Sequence, residues 1–363
     1  MTTNVAIAVE PHSSPVSPER RAEILADPGF GVHFTDHMVV IEWTPGQEWH
    51  DARLQPYGPF MMDPAASVLH YAQEIFEGLK AFRHSDGSVW AFRPEANAAR
   101  LRRSSVRMAL PELPEEQFLA AIEALVSADV AWVPSGDGQS LYLRPFMFAS
   151  EVFLGVRPAK HVTFAVIASP AGPYFGGEGV RAVSIWLSEE FSRAAPGGTG
   201  AAKCGGNYAA SLIAQQEAID NGCDQVVFLD AAEHMLLEEL GGMNVFLVLS
   251  DGTLVTPELN GSILEGVTRS SIIALAEENG HKVDERQVPI DEWRDGVASG
   301  EVQEVFACGT AAVITPIGTL KWRGGGVSTG SACGPVTARL RRQLIDIQFG
   351  RAPDPYSWLH RLA

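Results

Sequence analysis

The sequence predicts a two-domain protein of the α/β class, and three observations support this prediction. The chain has 363 residues, 46% of them hydrophobic, which is enough apolar material for two cores. Strand-like and helix-like segments alternate along it without a strict β-α-β rhythm. Residues 169–177, SPAGPYFGG, contain two prolines and three glycines and form the strongest linker signal. The predicted parts are a flexible arm (1–28), a small α/β domain (29–169), an interdomain loop (170–179) and a larger domain (180–363).

The elements of the small domain follow from apolar alternation and from turn residues. Residues 37–43 and 48–54 alternate as a strand pair around a Pro-Gly turn, and residues 79–83 and 88–93 form a hairpin around Ser85-Asp86-Gly87. Apolar residues three and four apart predict helices elsewhere. The predicted helices are 65–76, 95–110 and 115–132, and the remaining predicted strands are 141–149 and 161–168.

The larger domain is predicted to begin with a strand at 180–187, followed by a glycine-rich stretch and a helix over 207–222. Asn207 is the predicted N-cap of that helix, and Gly222 follows its last turn. The remaining predicted elements are hairpins at 225–239 and 244–255 and helices at 267–279, 291–298 and 335–349, with strands between the helices.

Charge and cysteine usage restrict the partners and the compartment. A formal net charge of −17 would repel nucleic acid and anionic membranes at long range, so a small-molecule substrate is expected. The sequence has no apolar run of about 18 residues, and its first residues lack the pattern of a signal peptide. The four cysteines are scattered without metal-ligand spacing, which predicts reduced thiols in the cytoplasm and no metal site.

One lysine has unusual surroundings. The chain has five lysines and 22 arginines, and Lys203 lies in the stretch GGTGAAKCGGNY, just before a predicted helix. Arginine can replace lysine for charge, but it cannot form a Schiff base with a carbonyl at neutral pH. The glycines favour close approach of the backbone to a flat bound group. A phosphate-binding P-loop is disfavoured, because Ala202 and Cys204 stand where that motif needs Gly and Ser or Thr. A solvated loop lysine stays open.

Three motifs, in the same order along the chain, resemble those of the branched-chain amino acid aminotransferases, which are pyridoxal-phosphate enzymes of fold type IV. The motifs are HYAQEIFEG (70–78), KCGGNY (203–208) and GTAA (309–312), and the similarity extends from about residue 30 to residue 362. The resemblance implies a homodimer whose larger domain holds a mixed, barrel-like sheet. It also implies reversible transfer of the amino group between L-leucine, L-isoleucine or L-valine and 2-oxoglutarate.

The resemblance implies roles for residues at the cofactor ring. Lys203 would bind the aldehyde of pyridoxal 5′-phosphate and carry a proton between the substrate Cα and the C4′ carbon of the cofactor. Glu239 would keep the ring nitrogen protonated, and a one-residue slip of the strand would give this role to Glu238. Tyr208 would donate to the phenolate oxygen of the ring.

The same resemblance implies a phosphate site. Arg100 matches the arginine that grips the phosphate, for which the guanidinium geometry is well suited. The helix N-terminus at Val267 and Thr268, together with Thr310, would complete the site. Glu265 stands where the family usually has proline, so its carboxylate is expected to point to solvent.

Substrate recognition is implied for a further set of residues. The turn at Thr310 and Ala311 would bind the substrate carboxylate through backbone donors. On the other side, Tyr71, Tyr142 and Arg144 would form a polar network, Phe76 and Tyr174 would be apolar walls, and Leu154 and Val156 would belong to a loop that reaches the partner subunit's site. The arginine-tyrosine network is the expected host for the second carboxylate of glutamate.

Other functions remain as alternatives. A D-amino acid aminotransferase or an aminodeoxychorismate lyase of the same fold should lack the pairing of YLRP (142–145) with FEG (76–78). A non-catalytic binding protein would have no use for a ring-nitrogen carboxylate, and a P-loop phosphotransferase would bind nucleotides. Vertebrate relatives carry a CxxC after the Gly-Thr-Ala turn, whereas this chain has Ala312 and Thr315 there, so no local disulfide switch is expected.

Overall fold

The chain divides into two compact units. The computed structural model describes residues 6–172, 181–330 and 333–363. Of these, unit 1 takes the described parts of Met1–Gly176, with Ala202–Gly205 and Ile347–Ala363, and unit 2 takes the described parts of Gly177–Ala201 and Gly206–Asp346. The predicted larger domain ran from residue 180 to the end of the chain, so the division differs from it at two segments. Whether the units are independent folding domains stays a prediction.

Unit 1 is built on a largely antiparallel sheet that carries helices. Its elements are β1 (Ala8–Val9), α1 (Pro18–Ala26), β2 (His37–Thr44), β3 (Glu48–Pro56), α2 (Ser67–Tyr71), β4 (Glu74–Phe76), β5 (Leu79–Arg83), β6 (Val89–Phe92), α3 (Pro94–Arg107), α4 (Glu115–Ala128), a 3-10 turn (Val130–Trp132), β7 (Ser140–Ala149) and β8 (Val162–Ala171). The strand order is β1-β3-β2-β8-β7-β5-β6, and β4 pairs with β7. The predicted strands and the hairpin around Ser85–Gly87 are confirmed.

The core of unit 1 holds α3 in place. α4 packs on β2 and β8, and α3 packs on α4 and on β4. Phe118 of α4 and Phe164 of β8 are fully buried with ring centroids 6.3 Å apart. Burying a side chain of this size contributes about 1.5–3 kcal/mol. This packing directs the buried face of α3, which includes Asn97, Arg100 and Ser104, towards the sheet.

The predicted helix over residues 65–76 is wrong in its second half. α2 ends at Tyr71, because Ala72 adopts a left-handed conformation with φ 49°. The chain then turns into β4, where Glu74 lies opposite Phe148 and Phe76 opposite Phe146. Pairing with β7 therefore overrides the helical spacing of the apolar residues, because the strand buries Ile75 completely.

The predicted loose arm is also wrong over its described part. Ser17 accepts a hydrogen bond from the N–H of Arg20 and caps α1, and Pro18 stands at the first turn, where its fixed φ suits a helix. Ile24 is buried against the core of unit 1. β1 pairs in parallel with β3. Residues 8–26 therefore contain regular structure that the Pro- and Ser-rich composition hid.

Unit 2 contains a mixed sheet with helices. Its elements are β9 (Val183–Leu187), α5 (Gly205–Asp220, whose first residue belongs to unit 1), β10 (Gln225–Leu229), β11 (Leu237–Leu240), β12 (Asn244–Leu249), β13 (Leu254–Pro257), α6 (Val267–Glu278), β14 (Val283–Arg286), α7 (Ile290–Ser299), β15 (Val302–Gly309), β16 (Val313–Trp322), β17 (Gly325–Ser328) and α8 (Pro335–Gln348). The strand order is β11-β10-β9-β16-β15-β12-β13-β14, with β17 on β16. β9 runs parallel to β10 and β16, while β12 and β15 are antiparallel. The predicted α/β class with a mixed sheet is confirmed.

Two features of the second half of the chain differ from the sequence prediction. Asn207 is not the N-cap of α5, because the helix begins at Gly205; its side chain instead bonds to Thr199, with Nδ2 donating to the carbonyl at 2.8 Å. After α8, the last strand, β18 (Leu359–Arg361), pairs with β6 of unit 1. The C-terminal residues therefore join the sheet of unit 1.

Candidate active site

Lys203 lies in a short segment of unit 1 whose main chain is anchored on both sides. Its N–H donates to Oγ of Ser104 at 3.0 Å, and its carbonyl accepts from the N–H of Phe76 at 2.9 Å. Ala202 and Cys204 are buried in the core of unit 1. The Lys203 ammonium nitrogen lies 4.8 Å from the centre of the Phe76 ring. The alternative of a solvated loop lysine does not fit this anchoring.

Phe76 brings a second cation and a tyrosine into the same neighbourhood. Cζ of Arg144 lies 4.7 Å from the centre of the Phe76 ring, and Nη2 of Arg144 donates to the hydroxyl of Tyr142 at 3.0 Å. Gly78 makes room for that hydroxyl, because a Cβ at this position would overlap the Tyr142 oxygen. The structure therefore brings Phe76, Tyr142, Arg144 and Lys203 together, while Tyr71, predicted in the same network, donates to the carbonyl of Leu154. Cation–π contacts of this kind contribute about 0.5–2 kcal/mol each.

A fully buried carboxylate holds Arg100. Oε1 of Glu77 accepts from Nε of Arg100 and Oε2 accepts from Nη2, both at 2.8 Å, while Nδ2 of Asn97 donates to Oε2 at 2.7 Å. Burial alone would raise the pKa of Glu77, but the Arg100 charge and hydrogen bonds, with the Lys203 charge, bring that pKa below its usual value. Glu77 is therefore an anion that fixes the guanidinium of Arg100 and lies within the field of Lys203.

Unit 2 contains the predicted ring-nitrogen carboxylate in a second buried network. Glu239 forms an ion pair with Arg193, and its Oε1 accepts from the N–H of Leu264 at 2.8 Å. Arg193 also donates to the carbonyls of Gly200 at 3.1 Å and of Ser262 at 2.6 Å. Gly200 packs so closely on Ser262 that a Cβ would overlap its backbone. Arg193 thus ties the glycine-rich stretch, Glu239 and the segment before α6 together.

The neighbouring Glu238 has a different environment. Its Oε1 accepts from the hydroxyl of Ser262, and Nδ2 of Asn260 lies 3.5 Å away. Burial raises the pKa of Glu238, against the opposing effect of these two donors. The direct ion pair with Arg193 is therefore made by Glu239, while Glu238 contacts neutral side chains.

The helix N-terminus predicted to bind phosphate is formed at α6. The helix begins at Val267, and its N-cap residue, Gly266, has no side chain of its own that could cap the first amides. Val267 and Thr268 are buried, and Glu265 is exposed, as expected for a carboxylate that points to solvent. The first amides of a helix attract anions. The start of α6 therefore has the character that a phosphate requires.

The remaining predicted residues of unit 2 lie on one loop and on α5. Thr310 and Ala311 are half-buried at the tip of the β15–β16 hairpin, which Gly309 and Val313 close. Tyr208 lies in the first turns of α5 beside Gly242, where a Cβ would lie 3.5 Å from its ring. These positions agree with the predicted roles without testing them.

The predicted partner-facing loop is anchored within unit 1 but leaves its apolar side chains exposed. The Tyr71 hydroxyl donates to the carbonyl of Leu154, and Oγ of Ser67 donates to the carbonyl of Phe153 at 3.2 Å. Leu154 is 59% exposed and Val156 is 87% exposed. Tyr174, predicted as an apolar wall, lies outside the described residues.

Sequence reasoning assigned no role to Glu77, Glu74 or Arg193. Glu77 carried one signal, since it interrupts the apolar pattern of two consecutive strands, where a buried charge needs a partner. Glu74 and Arg193 gave no such signal, because neither interrupts the apolar pattern of a predicted strand. The partners of all three are distant in sequence.

Each unit, taken by itself, carries groups that suit a phosphorylated pyridine cofactor. In unit 1 the main chain of Lys203 is fixed and Arg100 is oriented by a buried carboxylate, which suits an aldehyde and a phosphate. In unit 2 the buried Glu239 suits a ring nitrogen, and the N-terminus of α6 suits a phosphate. The helices of the described residues include none long and apolar enough to cross a membrane.

The family Amino-transferase class IV matches residues 74–320. This range covers more than half of the chain and contains the anchored lysine, Arg100 and both networks described above. The chain therefore belongs to the class IV aminotransferases.

Relatives within that family narrow the assignment. The chain is 57% identical to a probable branched-chain-amino-acid aminotransferase of Streptomyces coelicolor, over 99% of this chain and 100% of the relative. It is 54% identical to the branched-chain-amino-acid aminotransferase of Mycobacterium tuberculosis, over 96% of each chain. These relatives place the chain among the branched-chain-amino-acid aminotransferases.

Solved structures of branched-chain amino acid aminotransferases have a similar fold. The Escherichia coli branched-chain amino acid aminotransferase superposes with a TM-score of 0.75 at 29% identity, covering 89% of this chain and 99% of the other. The T.th. branched-chain amino acid aminotransferase with pyridoxamine 5′-phosphate gives a TM-score of 0.72 at 30% identity, covering 89% of this chain and 98% of the other.

Proposed function

We propose that this chain uses pyridoxal 5′-phosphate to transfer the amino group of L-leucine, L-isoleucine or L-valine to 2-oxoglutarate, with Lys203 as the catalytic amine. The observation that carries the proposal is Lys203, whose main chain is anchored and whose amine lies beside the Phe76 ring, next to the buried Glu77–Arg100 pair. Family membership and the named relatives support the reaction. When bound, the cofactor supplies an electron sink for the negative charge that develops at the substrate Cα.

Unit 1 supplies the groups for proton transfer and an arginine for the phosphate. The Lys203 amine takes the proton from the substrate Cα and would deliver it to the C4′ carbon of the cofactor. Arg100 binds phosphate oxygens in the orientation that Glu77 imposes through its two parallel hydrogen bonds. The Phe76 ring limits the volume next to Lys203 and excludes water from it.

Unit 2 supplies the groups for the ring and a helix N-terminus for the phosphate. Glu239 holds a proton on the ring nitrogen, and Arg193 keeps this carboxylate in place. Tyr208 donates to the phenolate oxygen. The first amides of α6 at Val267 and Thr268 bind phosphate.

We assign substrate binding to a further set of residues. The backbone at Thr310 and Ala311 receives the substrate carboxylate. Arg144 and Tyr142 receive the second carboxylate of glutamate or 2-oxoglutarate, because their hydrogen-bonded pair presents a cation and a hydroxyl together. Phe76 contacts the branched apolar side chains.

The test is a visible absorbance spectrum of the holoenzyme, recorded before and after L-isoleucine, then D-alanine, then 2-oxoglutarate. The visible band should bleach with L-isoleucine, ignore D-alanine and return with 2-oxoglutarate. Lys203→Ala should keep the circular dichroism spectrum of the wild type and lose turnover. Bleaching with D-alanine alone would move the assignment to a D-amino acid aminotransferase, and a protein without a band after reconstitution would remove Lys203 from its role.

We further propose a homodimer in the cytoplasm. The exposed apolar side chains of the loop at Leu154 and Val156 support the dimer, because apolar surface of this kind marks an interaction site. All four cysteines are free thiols, as expected in a reducing compartment. Sedimentation of the wild type and of Val156→Asp tests the dimer, since a charge buried in the interface should shift the protein towards the monomer.

A further inference from the structure

Glu74 makes a contact next to Lys203 that none of the roles above uses. It lies on β4, opposite Phe148, and its Oε1 accepts a hydrogen bond from the N–H of Gly205. Gly205 is the first residue of α5 and follows Lys203 by two positions. The first amides of a helix have no acceptor within the helix, so an outside carboxylate satisfies one of them and also interacts favourably with the helix dipole.

The contact is as close as glycine allows. A Cβ at position 205 would overlap Oε1 of Glu74, and 3.2 Å would separate it from Cδ. The backbone of Gly205 has no positive φ, so the close approach of Glu74, rather than backbone strain, accounts for glycine at this position. The position of the Glu74 carboxyl group therefore requires a residue without a side chain at position 205.

Three contacts now fix the segment that carries the lysine. Ser104 and Phe76 hold the N–H and the carbonyl of Lys203 itself, and Glu74 holds the segment on its C-terminal side. The first two contacts fix the main chain of Lys203, but they leave the path into α5 undetermined. The third contact sets this path, and it is made by a carboxyl oxygen of a side chain whose pKa is raised by burial against the opposing effects of the Gly205 amide and of Arg144.

We propose that Glu74 is a positioning residue for Lys203, acting through the amide of Gly205. The proposal rests on the proposed function for the role of the Lys203 amine. Its structural part, that Glu74 anchors the segment 202–205, does not depend on any cofactor or substrate.

The chain offers a matched control at another helix. Glu304 accepts from the N–H groups of Val336 at 3.0 Å and of Thr337 at 2.8 Å, and so caps the start of α8. Gly334 also lies so close to Glu304 that a Cβ would overlap the carboxylate. The two glutamates thus make the same kind of contact, but only Glu74 adjoins the segment of Lys203.

The first experiment measures amide hydrogen exchange by mass spectrometry on the protein without cofactor. In Glu74→Ala, the exchange rate of the peptide spanning residues 202–208 should rise about tenfold or more, because the hydrogen bond that protects the Gly205 amide from exchange is lost. In Glu74→Gln it should stay within about threefold of the wild type, because the amide oxygen still accepts. Unchanged exchange in Glu74→Ala would overturn the proposal.

The second experiment measures kcat and KM of the reconstituted enzyme with L-leucine and 2-oxoglutarate. Glu74→Ala should lose about tenfold or more in kcat with KM within about threefold, since it displaces the amine and not the substrate. Glu304→Ala should unfold at a lower temperature with kcat within about twofold of the wild type. An equal loss of kcat in Glu304→Ala, or no rescue by Glu74→Gln, would reduce Glu74 to a structural residue.

Gly205→Ala gives an independent test should Glu74→Ala fold poorly. Alone, it should lower kcat, because its Cβ displaces the Glu74 carboxylate; in the Glu74→Ala background it should add little. Additive effects would contradict the proposal, because they would show that the two positions act separately. If the wild type shows no transamination while the exchange results hold, the proposed function fails and the anchoring by Glu74 stands.

Discussion

The buried pair of Glu77 and Arg100 allows a quantitative test by the substitution Glu77→Gln. The carboxylate is fully buried and accepts from Nε and Nη2 of Arg100 and from Nδ2 of Asn97. Glutamine has nearly the same volume, but only one of its two terminal atoms accepts. Its NH₂ group would face a donor of Arg100 or of Asn97, and the charge of Arg100 would lose its partner.

The expected cost follows from the burial of both partners. Removing one partner of a buried ion pair costs about 3–5 kcal/mol, because the remaining charge stays buried without compensation. If unit 1 unfolds independently, as the domain prediction implies, each kcal/mol lowers the Tm of a unit of 150–250 residues by about 2–4 °C, and its unfolding transition should move down by about 6–20 °C. Affinity for pyridoxal 5′-phosphate should fall about tenfold or more, because Arg100 loses the orientation that suits the phosphate.

The assay is calorimetry of the protein without cofactor, together with titration of pyridoxal 5′-phosphate followed by absorbance. The matched control is Glu112→Gln, which removes an exposed partner of Arg102, at 3.4 Å, on the same helix as Arg100. An exposed pair of this kind contributes about 0–1 kcal/mol. If Glu77→Gln lowered Tm by no more than Glu112→Gln does, the reasoning from burial would be refuted.

The pH dependence of the same pair has a definite sign. The pKa of Glu77 is lower in the folded protein than its usual value, so its contribution is fully present above the unfolded pKa of about 4.3 and is lost as pH falls through the folded pKa. The difference in Tm between the wild type and Glu77→Gln should therefore stay constant from neutral pH down to about pH 5 and shrink only in stronger acid. A difference that shrinks already between pH 7 and 5 would contradict the direction of the shift.

Three further predictions concern other parts of the chain. Burial lowers the pKa of His360, but hydrogen bonds to two glutamates outweigh it and raise that pKa overall, so the stability it contributes is present below about pH 6.5 and is lost as pH rises through the raised pKa. The Tm difference between the wild type and His360→Gln should shrink as pH rises above 7, and a constant difference would exclude the charged form. Mild peroxide should leave kcat unchanged, because burial raises the pKa of Cys308 to about 12 and leaves almost no thiolate; reversible inactivation mapped to a Cys308 disulfide would contradict this. Glu239→Gln should slow the chemical step in single-turnover measurements with only modest loss of cofactor, because it no longer holds a proton on the ring nitrogen and leaves Arg193 unpaired; an unchanged rate would remove Glu239 from that role.

The regular elements that the sequence predicted correctly carry local signals. The hairpin around Ser85-Asp86-Gly87 has a turn whose glycine takes φ 88°, and the helix over 267–279 ends at a glycine with φ 82°. Such positions are visible because glycine is the residue that tolerates them. The failure at residues 65–76 has the opposite cause. There Ala72 takes the left-handed conformation, which the residue type does not predict. The strand that follows is stabilised by its pairing with β7, which is distant in sequence.

In the candidate site, too, some residues were predicted from the sequence and others were not. Lys203 and Phe76 were predicted from the motifs and Arg100 from the family resemblance, but the residues that support them are remote in sequence. Ser104 lies 99 residues before the lysine that it holds, and Glu74 lies 131 residues before the amide that it anchors. Periodicity and spacing carry no information about such pairs, because both contacts depend on how α3 and β4 pack in unit 1.

The neighbouring Glu238 and Glu239 show what only the fold can decide. By sequence either glutamate could serve as the ring-nitrogen carboxylate, since a shift of one residue turns each side chain to the other face of the strand. In the structure Glu239 is paired with Arg193 and bonded to the N–H of Leu264, while burial raises the pKa of Glu238. A carboxylate can hold a proton on a ring nitrogen only as an anion, and burial with a raised pKa favours the neutral acid. The register of β11 therefore supports the assignment of Glu239, on grounds independent of the motif.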